Sequence, residues 1–159
     1  MTILANHNDM LRQYGLEIGL ENLSFNNDGE AVLVFDDIFV RFMYDEPKQM
    51  ILLTSPVVYE AITHDADVYA SLLELNLVGI LNGAGSVGLD REMNVLTFAH
   101  NISLIGLDQN RFNQFVDSCV DLIDSWRKLI SSESFPKTTQ EAPSLTQTHD
   151  TDNIVTTRV

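Results

Sequence analysis

The segment from Asn22 to Val57 constrains the fold most, because its predicted strands are apolar on both faces. In "EAVLVF", Ala31, Leu33 and Phe35 would point one way and Val32 and Val34 the other. In "IFVRFMY" the two sets are Ile38, Val40 and Phe42 against Phe39 and Met43. "MILL" repeats the pattern, with Met50 and Leu52 opposed to Ile51 and Leu53. A small antiparallel sheet covered by helices on one side should alternate apolar and polar residues. Three outcomes are therefore open for the second face: burial under the chain's own helices, burial within an oligomer, or exposure as a patch for a partner. Turn signals at Asp28-Gly29, Asp36-Asp37 and Asp45-Glu46-Pro47 divide the segment into a predicted antiparallel meander of four short strands.

Helical periods flank the meander. From Ile3 to Ile18, Leu4, Leu11 and Ile18 recur every seven positions with Ile3, Met10 and Tyr14 beside them, which predicts an amphipathic helix ending near Gly19. In "HDADVYASLLELNLVG", Asp65 suits an N-cap and Val68, Leu72 and Leu75 share one face, so a second helix is expected to end between Asn76 and Gly79. Tyr69, Leu72, Leu73, Leu75 and Leu77 give it more apolar perimeter than one packing face requires, which points to a subunit contact. "SVGLDREMNVLTFAHNISL" holds a polar turn at Asp90 to Asn94 between apolar runs and predicts a hairpin. A third helix follows Asp108 as N-cap, with Phe112, Phe115, Val116, Cys119, Leu122, Ile123, Trp126, Leu129 and Ile130 in one broad stripe. Asp117, Asp121 and Asp124 are expected on its wet face, and Arg127 and Lys128 suit its dipole. The expected fold is α+β, α-β-β-β-β-α-β-β-α, over residues 1–134. Residues 135–159 change to Thr, Ser, Gln, Pro and Asp, a composition expected to stay disordered in isolation.

Charge and motifs narrow the chemistry. The chain has 159 residues, enough for one domain and a tail, and carries 9 Lys and Arg against 23 Asp and Glu. Such an acidic molecule is repelled by polyphosphate, so nucleic acid is not an expected partner. No apolar run approaches the roughly 20 residues that span a bilayer, and the N-terminus lacks a basic region followed by an apolar one. The expected location is the cytoplasm, and the single cysteine, Cys119, agrees with a reducing compartment.

The stretch "GAGSVG", Gly83 to Gly88, fits the spacing of a dinucleotide fingerprint. That fingerprint needs a strand before it and a helix after it, whereas here a helical period leads in and a turn and strand lead out. A dinucleotide-binding enzyme is thus the weaker alternative to a glycine link between elements. His7, His64, His100 and His149 are scattered without the i, i+4 spacing of a zinc helix, so no metal is expected. Cys119 lies in an apolar stripe, where a thiol acts as a small hydrophobe. Asp36-Asp37 reads as a tight turn rather than an acid/base pair. No Gly-x-Ser-x-Gly, Walker loop or Cys-x-x-Cys occurs, and neither catalytic residue nor cofactor is expected.

The layout and several stretches resemble the class I type III secretion chaperones of the Tir-chaperone (CesT-like) family. These are "LRQYGLEIGLENLSFNNDGEAVLVFDD", "MILLTSPV", "LLELNLVGILNGAGSVGLD" and a last helix opened by "GLD" and carrying "SWRKL", which together span roughly residues 2–133. The tail from Phe135 to Val159 falls outside the likeness. The resemblance implies a homodimer without catalytic activity or cofactor. Its members bind the N-terminal region of a secreted effector, keep it extended and secretion-competent, and help deliver it to the export ATPase. Position by position, it implies effector contacts at Phe25, Val32, Val34, Phe39 and Met43, and a dimer contact at Tyr69, Leu72, Leu73 and Asn76. A dimeric adaptor that sequesters a regulatory protein is the alternative.

Overall fold

A computed structural model describes residues 3–58 and 66–132. The element order is α1 (Ile3–Glu17), β1 (Glu30–Phe35), β2 (Ile38–Asp45), β3 (Met50–Pro56), α2 (Ala66–Leu81), β4 (Ser86–Asp90), β5 (Val95–Ser103) and α3 (Gln109–Ser131). The strands form one antiparallel sheet in the order β1-β2-β3-β5-β4, so the chain crosses through α2 to the far edge and returns beside β3. The α+β order of helix, meander, helix, hairpin and helix is as expected from the sequence.

The meander has three strands, not four. In the segment before β1, the Asn8 side-chain oxygen accepts a hydrogen bond from Phe25 N–H at 2.8 Å. That of Asn26 accepts from both Asp28 and Glu30 N–H at 2.9 Å. Side chains therefore satisfy a backbone that a neighbouring strand would otherwise have to pair, while Leu23 and Phe25 turn into the core. The expected turn at Asp36-Asp37 is present, with Asp36 at φ 51°.

The core lies between one sheet face and the helices α1 and α3. Cross-strand pairs Ala31–Phe42, Leu33–Val40, Phe42–Leu53, Ser55–Phe98 and Leu89–Leu96 share that face. Leu11 and Tyr14 from α1 and Phe112, Val116, Cys119 and Ile123 from α3 are buried with them. Tyr14 joins the layers, with its ring edge-on to Phe112 at 6.1 Å and its hydroxyl donating to Asp117 at 2.9 Å. Asp117, expected on the wet face of α3, thus also ties that helix to α1. Asp108 caps α3 by accepting from Arg111 N–H at 2.8 Å. The second helix runs two residues past its expected end, carrying Gly79 inside it. Its expected cap, Asp65, and the tail 135–159 lie outside the described residues.

Candidate functional site

The outer side of β1 and β2 carries the largest anomaly of the sequence into the structure. Val32 and Val34 are 48% and 55% exposed, and Phe39, across from Val34, is also solvent-facing. Burial under the chain's own described helices is therefore not the fate of this face. The strip continues through the half-buried Met43 to Leu52, its cross-strand neighbour. At its end a shallow groove is lined by the apolar Met43, Met50 and Leu52 together with Asp28, Glu30, Asp45, Glu46 and Lys48. Arg41, opposite Val32, is held by an ion pair to Glu30. The strip thus offers apolar side chains that end at a groove with more acidic than basic residues.

Among the described residues β1 is also an open edge of the sheet. Tyr44 N–H donates to Gly29 C=O at 2.8 Å, and hydrogen-bonded pairs alternate along an antiparallel ladder. Ala31, Leu33 and Phe35 therefore direct their backbone groups at β2, and Val32 and Val34 direct theirs outward. Glu30, the remaining outward residue, is capped by Asn26, whose N–H donates to Glu30 C=O at 2.7 Å.

A second apolar surface lies on α2. Leu73, Leu77, Ile80 and Leu81, at helical spacings of four, three and one, are exposed, Leu73 by 69% and Leu81 by 76%. Val68 and Leu72, one turn apart on the opposite side, are buried. Asn76 donates its amide to Val87 C=O at 2.6 Å and accepts from Val87 N–H at 2.7 Å, clamping α2 to β4.

The structure separates the sequence-selected residues. Val32, Val34, Phe39 and Met43 share the outer strip, but Phe25 is buried on the other side of the sheet beside Tyr44, with ring centroids 6.2 Å apart. Phe25 is therefore a core residue, placed there because its backbone is tied to α1 through Asn8. Of the four α2 residues, Leu73 is on the exposed stripe and Tyr69 is half-buried, while Leu72 packs within the subunit and Asn76 is engaged by β4. Sequence reasoning missed Ile80 and Leu81, which follow Leu73 and Leu77 at i+7 and i+8 but lie beyond the expected helix end.

Burial pushes the Cys119 thiol up to about 12, so it stays protonated. His100 packs 5.2 Å from the Phe115 ring, and desolvation lowers its pKa against the opposing effect of a backbone hydrogen bond at Gly83. Among the described residues no group of three or more His, Cys, Asp and Glu could hold a metal ion. No described helix is long and apolar enough to cross a membrane. The stretch from Gly83 to Gly88 follows helix α2 and enters strand β4, the reverse of a dinucleotide fingerprint.

The described residues thus form a small α+β protein with an edge strand beside exposed apolar side chains and a second apolar stripe on a helix. The chain belongs to the Tir chaperone protein (CesT) family, whose profile matches residues 9–127. No curated protein matches it significantly. Among solved structures, the ExsC-ExsE complex contains a chain 21% identical that superposes with a TM-score of 0.73, covering 81% of this chain and 96% of that one. The HopA1-SchA chaperone-effector complex contains one at 17% identity and TM-score 0.67, covering 80% and 99%. The Yersinia pestis type III secretion chaperone SycH, solved with a fragment of YscM2, gives 18% and 0.58, covering 76% and 98%.

Proposed function

We propose that this protein is a non-catalytic export chaperone. It holds the N-terminal region of a type III secreted effector extended and secretion-competent in the bacterial cytoplasm, and helps deliver it to the export ATPase. The observation that carries this reading is the exposed strip of Val32, Val34 and Phe39 beside the outward backbone of Val32 and Val34, which no other described residue pairs. An extended client segment added to that edge would gain main-chain hydrogen bonds there and selectivity from alternate side chains against the strip. Family membership and the chaperone-effector complex among similar structures support the same reading. The acidic excess of the groove favours a client segment that interleaves apolar and basic residues. The exposed stripe on α2 serves a homodimer, the arrangement that would give one client two such edges.

Co-expression with a candidate effector from the same operon region tests this. The expected result is a stable complex with about two chaperone chains per effector. Val34→Asp and Phe39→Asp are expected to abolish co-purification while leaving the circular dichroism spectrum intact. A folded protein that stays monomeric and retains no effector segment would overturn the reading.

A further inference from the structure

Glu30 places a charge at the end of an otherwise apolar edge. It shares the outer face of β1 with Val32 and Val34, since the three alternate with the inward Ala31 and Leu33. Across from them on β2 stand Met43, Arg41 and Phe39. Arg41 is the only cation among the outer-face residues of the described strands, and its guanidinium donates to Glu30 Oε1. Glu30 Oε2 has no partner among the described residues. The other nearby cation is also committed, because Lys48 Nζ lies 2.8 Å from Asp45 Oδ2. Asp28 and Glu46 line the same groove as Glu30 and have no ion-pair partner among the described residues. A carboxylate brought to this end of the strip would be repelled, and a cation attracted.

Asn26 fixes where such a cation would sit. Glu30 directs its backbone outward as Val32 and Val34 do, but Asn26 already fills it. Glu30 N–H donates to Asn26 Oδ1 at 2.9 Å, and Asn26 N–H donates to Glu30 C=O at 2.7 Å. An added strand can therefore pair its backbone with Val32 and Val34, and at Glu30 only a side chain is left to be read. Directly opposed residues put their side chains on one face, about 5 Å apart at Cβ, so the residues facing Val34, Val32 and Glu30 are spaced two apart. An antiparallel strand, the pairing of every neighbour in this sheet, presents them in the order apolar, x, apolar, x, basic.

We propose that Glu30 is the specificity-determining residue of the client edge. It accepts a Lys or Arg lying two residues C-terminal to the apolar client residue that faces Val32, and Arg41 holds its carboxylate in place. The inference rests on the chaperone reading for the presence of a client strand on β1, and adds the register and the charge by which that strand is read.

Three blocked peptides test it: Val-Thr-Val-Thr-Lys, Val-Thr-Val-Thr-Glu and the reordered Lys-Thr-Val-Thr-Val. Each is titrated into the isotope-labelled full chain at low ionic strength and followed by NMR at the Val32 and Val34 amides, with the β3 amides reporting an intact fold. The first peptide is expected to bind at least about threefold more tightly than either of the others. Glu30→Gln should remove most of both differences, whereas Glu46→Gln, the same charge change outside the register, should preserve the preference for order. N-methylation of the lysine should be tolerated, because Asn26 already occupies the Glu30 C=O. N-methylation of the central valine, whose N–H would donate to Val32, should weaken binding at least about fivefold. Equal affinity of the three peptides, or a lysine preference that survives Glu30→Gln, would overturn the assignment to Glu30 and leave the client edge standing. If none of the peptides shifts the Val32 and Val34 amides, the edge itself is overturned as the client site, and the chaperone reading loses the observation that carries it.

Discussion

Gly85 shows how one residue's role passes from local to tertiary. Its φ of +73° already disfavours a side chain, and a Cβ there would meet Ala99 O at 2.8 Å and the His100 and Phe98 side chains at 2.9 Å. Gly85→Val should therefore destabilise the fold by about 2–4 kcal/mol, read as a lower thermal midpoint, with no nucleotide affinity involved. The glycine link was legible in the sequence; its pressure against β5 was not. Asn76 makes the same point, since the family resemblance implied a dimer contact there and its amide is engaged by the backbone of buried Val87. Asn76→Ala is expected to cost about 1–3 kcal/mol in urea denaturation, because Val87 loses partners for both of its backbone groups. His100 sets a pH dependence. Its folded pKa lies below the ordinary histidine value of about 6.5, so as pH falls below that value the unfolded chain takes up a proton the folded one resists. Stability should decline from pH 7 to pH 5, and His100→Gln should flatten that decline. Asp37 acts in the same direction at lower pH, since its hydrogen bond to Arg127 holds its carboxyl below the usual range and that contribution disappears on acidification.

At the scale of elements, the strongly periodic segments were readable and the punctuation was less so. The third helix followed from apolar spacing and its Asp108 cap, because both signals act within a few residues. The hairpin of β4 and β5 followed from the polar turn between apolar runs. The segment Leu23–Phe25 looked like a strand because burial selects the same residues that pairing does, and only the Asn8 and Asn26 contacts distinguish a plug from a strand. The second helix continues past Gly79 because its stop lies at Gly83, whose φ of +67° lets Gly83 N–H donate to Ile80 C=O and Ala84 N–H donate to Gly79 C=O. That continuation places Ile80 and Leu81 on the stripe with Leu73 and Leu77. Leu77→Asp should therefore convert the proposed dimer to monomer, weakening association by at least about a hundredfold in sedimentation equilibrium while preserving helicity. Leu72→Asp should instead unfold the subunit, since Leu72 is 5% exposed.

The whole molecule carries a formal charge of −14, and its exposed strip ends at a groove with more acidic than basic residues. Association with a client segment containing basic residues should be steered electrostatically, so raising ionic strength from about 50 to 200 mM should slow the on-rate roughly tenfold in stopped-flow experiments and change the off-rate little. The fold class, the three helices and the presence of more apolar strand surface than one core can use were determined by the sequence itself. These depend on period and composition, which each segment carries alone. Which apolar residues face solvent was decided only by the tertiary structure. Phe25 and Leu72 are as hydrophobic as Val34 and Leu73, and the two groups differ only in whether a distant segment closes over them. That choice depends on strand register, on side-chain clamps such as Asn8 to Phe25, and on the order β1-β2-β3-β5-β4, which leaves β1 at the edge.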